Sequence, residues 1–273
     1  MLSTFQNKVA FITGGASGIG LGIARSLARE GMKIAIADIE PETLATAAAN
    51  IRALGAEVMT LPLDVSRWEN WEGVPERVEA TLGPVSVLCN NAGISLVEQP
   101  AAEAVIVDWQ KLFSINVHGV LYGVRAFAGR MGGPEGGHIV NTSSSGGLTA
   151  IGHPGLSAYV ASKFAVVGMS EVLQSEMAPK NVGVSVLCPG QVRSELWRTS
   201  RKVRGVPLPE EPSARELKGS RAPDAMDPDE VGSLVVQAIR ADRLYIVTHA
   251  SRRAPIRARQ ALIEEAFEAI PTV

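Results

Sequence analysis

The chain of 273 residues is 46% hydrophobic and 20% charged, with a formal net charge of −2, the balance of an ordinary globular protein. That charge leaves no basic face for nucleic acid, and aromatic side chains at 5% are too sparse for a base-stacking surface. No apolar run approaches the ~18 residues of a membrane span, and the stretch from Met1 to Val9 has no basic segment followed by an apolar one, so neither a membrane partner nor a signal peptide is expected.

In chain order, short apolar runs alternate with longer helix-like stretches. Strands are expected at residues 8–13, 33–37, 58–63, 85–89, 138–142, 182–187 and 244–248. Helices are expected at 20–30, 41–54, 72–81, around 104–130 and around 158–177. Gly31 and Gly55 stop the first two helices. The strands are continuous Val/Ile/Leu runs rather than alternating ones, so both faces should be covered. This points to an α/β fold, a doubly wound Rossmann-type parallel sheet of about seven strands with helices on both faces. Such a sheet uses nearly all of residues 1–273, which implies one domain.

Two segments break the rhythm. Residues 191–228 contain Pro207, Pro209, Pro212, Pro223 and Pro228 and no sustained period. A loop of that length is a lid over a site, a binding loop or a disordered insertion. Residues 253–270 read as a helix with Pro255 in its first turn and Ile256, Ile263, Phe267 and Ile270 on one face. Its basic residues come early and its acidic ones late, against the helix dipole. Docking is therefore expected to hold it, onto its own core or a neighbouring subunit.

Cys89 and Cys188 each end an apolar run and read as buried free thiols, which suits a reducing cytoplasm. His118, His138, His153 and His249 have no metal-ligand spacing, so no catalytic metal is expected.

Thr13-Gly14-Gly15-Ala16-Ser17-Gly18-Ile19-Gly20 follows the first strand and opens the first helix. Glycines there allow a tight turn and let backbone N–H groups approach a pyrophosphate, and the helix N-terminus adds unpaired donors. The spacing Gly14, Gly18, Gly20 is wider than the common G-x-G-x-x-G. Asp38 ends the second strand, near the ~20-residue offset at which an acid meets an adenosine ribose. The other reading of Asp38 is a helix cap ahead of Pro41. In Tyr159-Val160-Ala161-Ser162-Lys163, the phenol and the ammonium lie one helical turn apart on one face. A nearby ammonium lowers a phenol pKa from about 10 and suits it to proton transfer with an alcohol or ketone oxygen.

Together these motifs resemble the short-chain dehydrogenase/reductase family, over a match running from Lys8 to about Ser194. The resemblance implies an enzyme that moves a hydride between NAD and a secondary alcohol or its ketone. It implies catalytic roles for Asn116, Ser144, Tyr159 and Lys163, with Asn116 supporting a proton relay through a water. Asn141-Thr142-Ser143-Ser144-Ser145 is similar to the family's serine motif, and a register shift would select Ser143 or Ser145 instead. The cofactor-binding set carried over is Gly14, Ser17, Gly18, Ile19, Gly20, Asp38, Ile39, Asp64, Val65, Asn91, Ala92, Gly93, Tyr159, Lys163, Pro189, Gly190, Val192 and Ser194. Asp64-Val65 would meet the adenine, and the backbone near Val192 the nicotinamide carboxamide. With no Arg or Lys at Gly15 or Ile39, and with Asp38 repelling an extra phosphate, NAD is favoured over NADP. Ser194 replaces the family's usual Thr. The stretch from Ser144 to Tyr159 is slightly longer than in many relatives, and His153-Pro154-Gly155 lies in it, as a surface turn or an enlarged mouth.

For the substrate, Leu196, Trp197, Val203, Val206 and Leu208 give the lid an apolar surface, which suits an apolar or aromatic secondary alcohol. The basic residues Arg198, Arg201, Lys202 and Arg204 beside it are a solvated face or a contact for an acid group. More loosely, Leu244 to His249, followed by Arg252 and the final helix, resembles bacterial short-chain enzymes that oxidise benzylic alcohols of lignin-derived aryl ethers. The resemblance also implies a homo-oligomer, dimer or tetramer. Alternatives are an NADP-linked ketone reductase and a non-catalytic NAD-sensing protein, which the Tyr159/Lys163 pair argues against.

Overall fold

The computed structural model describes residues 2, 4–95, 99–150, 154–211 and 222–270. Strands β1 (Val9–Thr13), β2 (Lys33–Asp38), β3 (Val58–Pro62), β4 (Val85–Asn90), β5 (Gly137–Thr142), β6 (Val182–Cys188) and β7 (Tyr245–Val247) form one sheet in the order β3-β2-β1-β4-β5-β6-β7. Every neighbouring pair is parallel. Side chains alternate across the sheet: Ala10 and Ile12 of β1 enter one core, Val9 and Phe11 the other. This explains the unbroken apolar runs, since neither face meets water.

The first core is closed by α1 (Gly18–Arg29), α2 (Pro41–Arg52) and α8 (Pro228–Arg240), through Ile23, Leu27, Leu44, Val231 and Val235. The second is closed by α3 (Val74–Leu82), α4 (Ile106–Phe113), α5 (Gly119–Phe127) and α6 (Ser157–Met177), through Val78, Leu112, Phe127 and Leu173. The strand order reverses between β1 and β4. In open α/β sheets the crevice at such a reversal, beyond the carboxyl ends of the strands, is where ligands bind.

The predicted helix near 104–130 is interrupted. A π-helical turn, Ser114–His118, joins α4 to α5, with Asn116 at its centre. Two helices were not expected from the sequence reading. The lid contains α7 (Leu196–Arg204), and α8 begins at Pro228, which that reading counts among the lid's prolines. The signals for α8 are local: Asp227 caps it, Glu230 completes a capping box, and Pro228 sits in the first turn. Asp229 then pairs with Arg25 and Arg29 of α1.

The final helix, α9 (Arg253–Glu268), forms as expected, but its docking is slight. None of its residues is buried. Thr149 bonds the Pro255 carbonyl at 3.3 Å, and Arg259 lies 5.0 Å from the Phe164 ring centre. Leu262, Phe267 and Ile270 face solvent, so the apolar stripe is not spent on this chain's own core. His153 and Pro212 lie outside the described residues. Cys89 and Cys188 are buried free thiols, as expected, and burial pushes both up to about 12. No helix among the described residues is long and apolar enough to cross a membrane.

Candidate active site

The phosphate loop is fixed from beneath. Gly14 (φ +62°) and Gly18 (φ +49°) both adopt the left-handed region. A Cβ on Gly14 would lie 2.9 Å from the Ala92 Cα, so the loop rests directly on the chain leaving β4. Thr13 Oγ1 accepts the N–H groups of Asn91 (2.9 Å) and Ala92 (3.0 Å), and Asn91 Nδ2 donates back to the Thr13 and Gly14 carbonyls. Asn91 Oδ1 takes the Thr142 hydroxyl at 3.3 Å, which ties β5 to the same point. The first turn of α1, with Gly18, Ile19 and Gly20, has no acidic residue and no side-chain cap from Ser17. Its opening N–H groups lack intrahelical partners, so this cradle fits an anion such as a dinucleotide pyrophosphate.

Asp38 is not the cap of α2; that position is Glu40. Its carboxylate instead takes the Ala16 N–H of the phosphate loop at 3.2 Å and the Ile39 N–H at 2.8 Å. Burial raises its pKa against these N–H groups, which lower it. A half-buried acid beside the loop fits a ribose. Asp64 turns the chain after β3, taking the Ser66 N–H and hydroxyl, and Val65 is buried with its carbonyl on the Trp71 indole. Ile39 is exposed.

At the carboxyl end of β5 the three serines separate. Ser143 is buried, and its hydroxyl bonds the Lys163 carbonyl at 2.7 Å. Ser145 is buried, and its N–H donates to the Pro189 carbonyl at 2.8 Å. Ser144 is partly exposed, accepts the Gly146 N–H at 3.1 Å and lies beside the Tyr159 phenol, whose pKa its hydroxyl lowers. Of the three serines, Ser144 is the one whose hydroxyl acts on the phenol.

Lys163 is buried, its Nζ 3.1 Å from the Thr142 carbonyl and 5.7 Å from the Tyr159 ring centre. The expected electrostatics differ from those observed. Burial raises the Tyr159 pKa, and the Ser144 hydroxyl lowers it only in part. Burial also pushes Lys163 down to about 8, so the ammonium is itself burdened. Desolvation dominates at both groups because both sit deep in the protein.

Asn116 is fully buried. Its Oδ1 takes the Ile94 N–H at 2.9 Å, and its Nδ2 donates to the Ile94 carbonyl (3.0 Å) and to the Ser162 hydroxyl (3.2 Å). Both amide N–H groups are spent, so the side chain clamps the chain after β4 rather than reaching Lys163. Gly93 sits between the two: a Cβ there would lie 3.2 Å from Asn116 Oδ1 and 3.5 Å from Lys163 Nζ.

The neck of the lid is closed. Val192 bridges Met226, Met226 N–H bonds the Gln191 carbonyl, and Arg193 bonds both the Ala225 carbonyl and Asp227. Gly190 N–H bonds the Thr248 hydroxyl, and Ser194 lies against Gly18. From that neck α7 spans the crevice. Ser200 takes the Ser95 N–H at 3.0 Å, Lys111 bonds the Val203 carbonyl, Lys202 pairs with Glu40, and Arg204 pairs with Asp108. The sequence reading lists Trp197 only as apolar surface. Its Nε1 is buried without a partner, which costs about 1–3 kcal/mol for such a donor. That reading also leaves out Thr13 and Ser162. Thr13, ahead of Gly14, is the more legible; the bond of Ser162 to Asn116 spans 46 residues and leaves no local mark.

A family model described as short chain dehydrogenase matches residues 8–205. Among curated proteins, 1-deoxy-11-beta-hydroxypentalenate dehydrogenase of Streptomyces exfoliatus is 31% identical, over 92% of this chain and 86% of its own. Cyclopentanol dehydrogenase of Comamonas testosteroni is 34% identical, over 88% and 93%. Among solved structures, a short chain dehydrogenase/reductase from Burkholderia phymatum in complex with NAD superposes with a TM-score of 0.87 at 34% identity, covering 100% of this chain and 99% of that one.

Proposed function

Because the chain belongs to the short-chain dehydrogenase family, we propose that it is an NAD-dependent dehydrogenase of apolar or ring-bearing secondary alcohols, reversible with the ketone. The observation that carries this reading is Ser144 beside the Tyr159 phenol, with buried Lys163, at the strand ends next to the β1/β4 reversal. Ser144 and Tyr159 together would hold the substrate oxygen, and Tyr159 would take the hydroxyl proton in oxidation and return it in reduction. The bound nicotinamide supplies the hydride acceptor and, when oxidised, a positive charge. Ser144 and Lys163 favour the phenolate that burial disfavours. Asn116 serves by fixing Ile94 and Ser162, and thereby the backbone around Lys163 and Tyr159.

The remaining cofactor contacts are the first turn of α1 for the pyrophosphate, Asp38 for the ribose hydroxyls, Asp64 and Val65 for the adenine, Asn91 to Gly93 for the floor, and Pro189, Gly190, Val192 and Ser194 for the nicotinamide end. Asp38 favours NAD, since a carboxylate there repels the additional phosphate of NADP. The NAD in the Burkholderia complex and the ring alcohol in the Comamonas protein's name agree with this reading. We further infer one catalytic domain over residues 1–273, a lid at 191–228, a homo-oligomer and a cytoplasmic setting, the last from the two free thiols. The test is NADH absorbance on mixing the protein with NAD and ring-bearing secondary alcohols, then with NADP, in wild type and Asp38→Ala. Turnover with NAD and a relaxed preference in the variant is expected. Clear NADP preference in the wild type would overturn the cofactor assignment.

A further inference from the structure

Trp197 stands on the lid helix with its single polar atom unanswered. Nε1 is closed off from solvent and no acceptor reaches it. Trp197, Ser200 and Arg204 follow at three- and four-residue spacing and so share one face of α7. That face is turned toward the body: Ser200 is buried on the Ser95 N–H and Arg204 reaches Asp108. Val203, beside them, packs with Tyr159 against one apolar cluster. The chain enters α7 from Pro189, whose carbonyl holds Ser145, the neighbour of Ser144. Trp197 therefore shares the body-facing side of α7 with Ser200, which meets the chain beyond β4 at Ser95.

An indole N–H is a donor only. Kept dry and unpaired within this protein, it is matched when a partner arrives with a ligand. We propose that Trp197 is a specificity-determining residue: its N–H donates to an acceptor oxygen, ether or carbonyl, that the substrate carries beyond the reacting carbinol, while its ring covers the substrate's apolar body. This rests on the alcohol dehydrogenase reading and names the substrate class within it. A site with a buried donor discriminates against an analogue that leaves the donor bare.

Two benzylic secondary alcohols of nearly equal shape test this: 4-chromanol, with a ring ether oxygen, and 1-tetralol, with a methylene in its place. In the wild type kcat/KM should favour 4-chromanol by about tenfold or more. Trp197→Phe keeps an aromatic ring on the lid; it should bring the ratio close to unity and leave NAD affinity unchanged. A wild type without preference, or a preference that survives in Trp197→Phe, overturns the assignment while the dehydrogenase reading stands. Lost NAD affinity with an unmoved ratio gives the donor to the cofactor and also overturns it. No turnover of either alcohol, with NAD bound, removes both readings. The corresponding ketones, 4-chromanone and 1-tetralone, compete for the wild-type protein loaded with NADH and give the same ordering without any substitution; equal affinities would sink the proposal.

Discussion

Beneath the site, Asn116, Asn91 and Ser143 spend their polar groups on neighbouring backbone, in places closed or nearly closed to water. Above it, α7 is held by Ser200 on the Ser95 N–H, by Lys111 on the Val203 carbonyl and by two ion pairs, Arg204 on Asp108, partly buried, and Lys202 on Glu40, with Lys202 exposed. Buried, fully paired networks are costly to break and fix geometry. Exposed ion pairs are worth little and reform readily. The floor is built to hold a phenol, an ammonium and a serine in register. The cover is tied to the body at fewer points, and one of its ion pairs is open to solvent.

The comparison breaks most visibly at the phenol. Tyr159→Phe should lower kcat by about 10²–10⁴-fold while NAD binding persists, measured by NADH absorbance and by direct titration with NAD. Retained turnover would remove the assigned acid/base. Next comes the pair of serines. Ser144→Ala should cost about 10²–10³ in kcat, as removing one donor to the reacting oxygen does. Ser143→Ala should act mainly on stability, by about 1 kcal/mol through the lost Lys163 bond. Reversed kinetics would put the wrong serine at the reacting oxygen.

Asn116→Ala strips the Ile94 N–H and carbonyl of their partners and should destabilise the fold by about 2–4 kcal/mol, read as a lower urea midpoint at unchanged slope. A midpoint within error of the wild type would mean the clamp is dispensable.

Lys163 offers a test of the floor by pH. Its amine is held at about 8 by burial, below the ordinary 10.5. Below about 8 both native and unfolded chains carry the proton, and the native one bears the cost of burying it. From there to 10.5 the unfolded chain still holds a proton the native chain has lost, so this residue's contribution to stability rises with pH across that window. The stability of wild type relative to Lys163→Met should climb over the same range. A flat difference would show that burial does not burden this amine. The smallest effect belongs to the cover: Lys202→Ala should change stability by less than about 1 kcal/mol, and salt should erase the difference. A larger, salt-resistant loss would mean that the lid is part of the rigid frame.

The strand runs, the glycine loop with Asp38 and the Tyr159/Lys163 spacing were readable from the chain alone, because each depends on neighbours a few residues apart. Sheet class and family follow from such local patterns. Other features answer to partners far away in sequence. Ser144 parts from Ser143 and Ser145 only because Lys163 and Pro189 claim the latter two. Asn116 becomes a clamp because Ile94 and Ser162 exhaust its amide, and burial raises the Tyr159 pKa because a whole core surrounds it. No element was expected over residues 229–240, although Asp227 and Glu230 mark the start of α8; the structure packs it on α1. Trp197 looked like one more apolar residue until the fold shut its N–H away from water. Short-range periodicity lies in the chain, whereas desolvation and hydrogen-bond saturation exist only once distant segments have closed on one another.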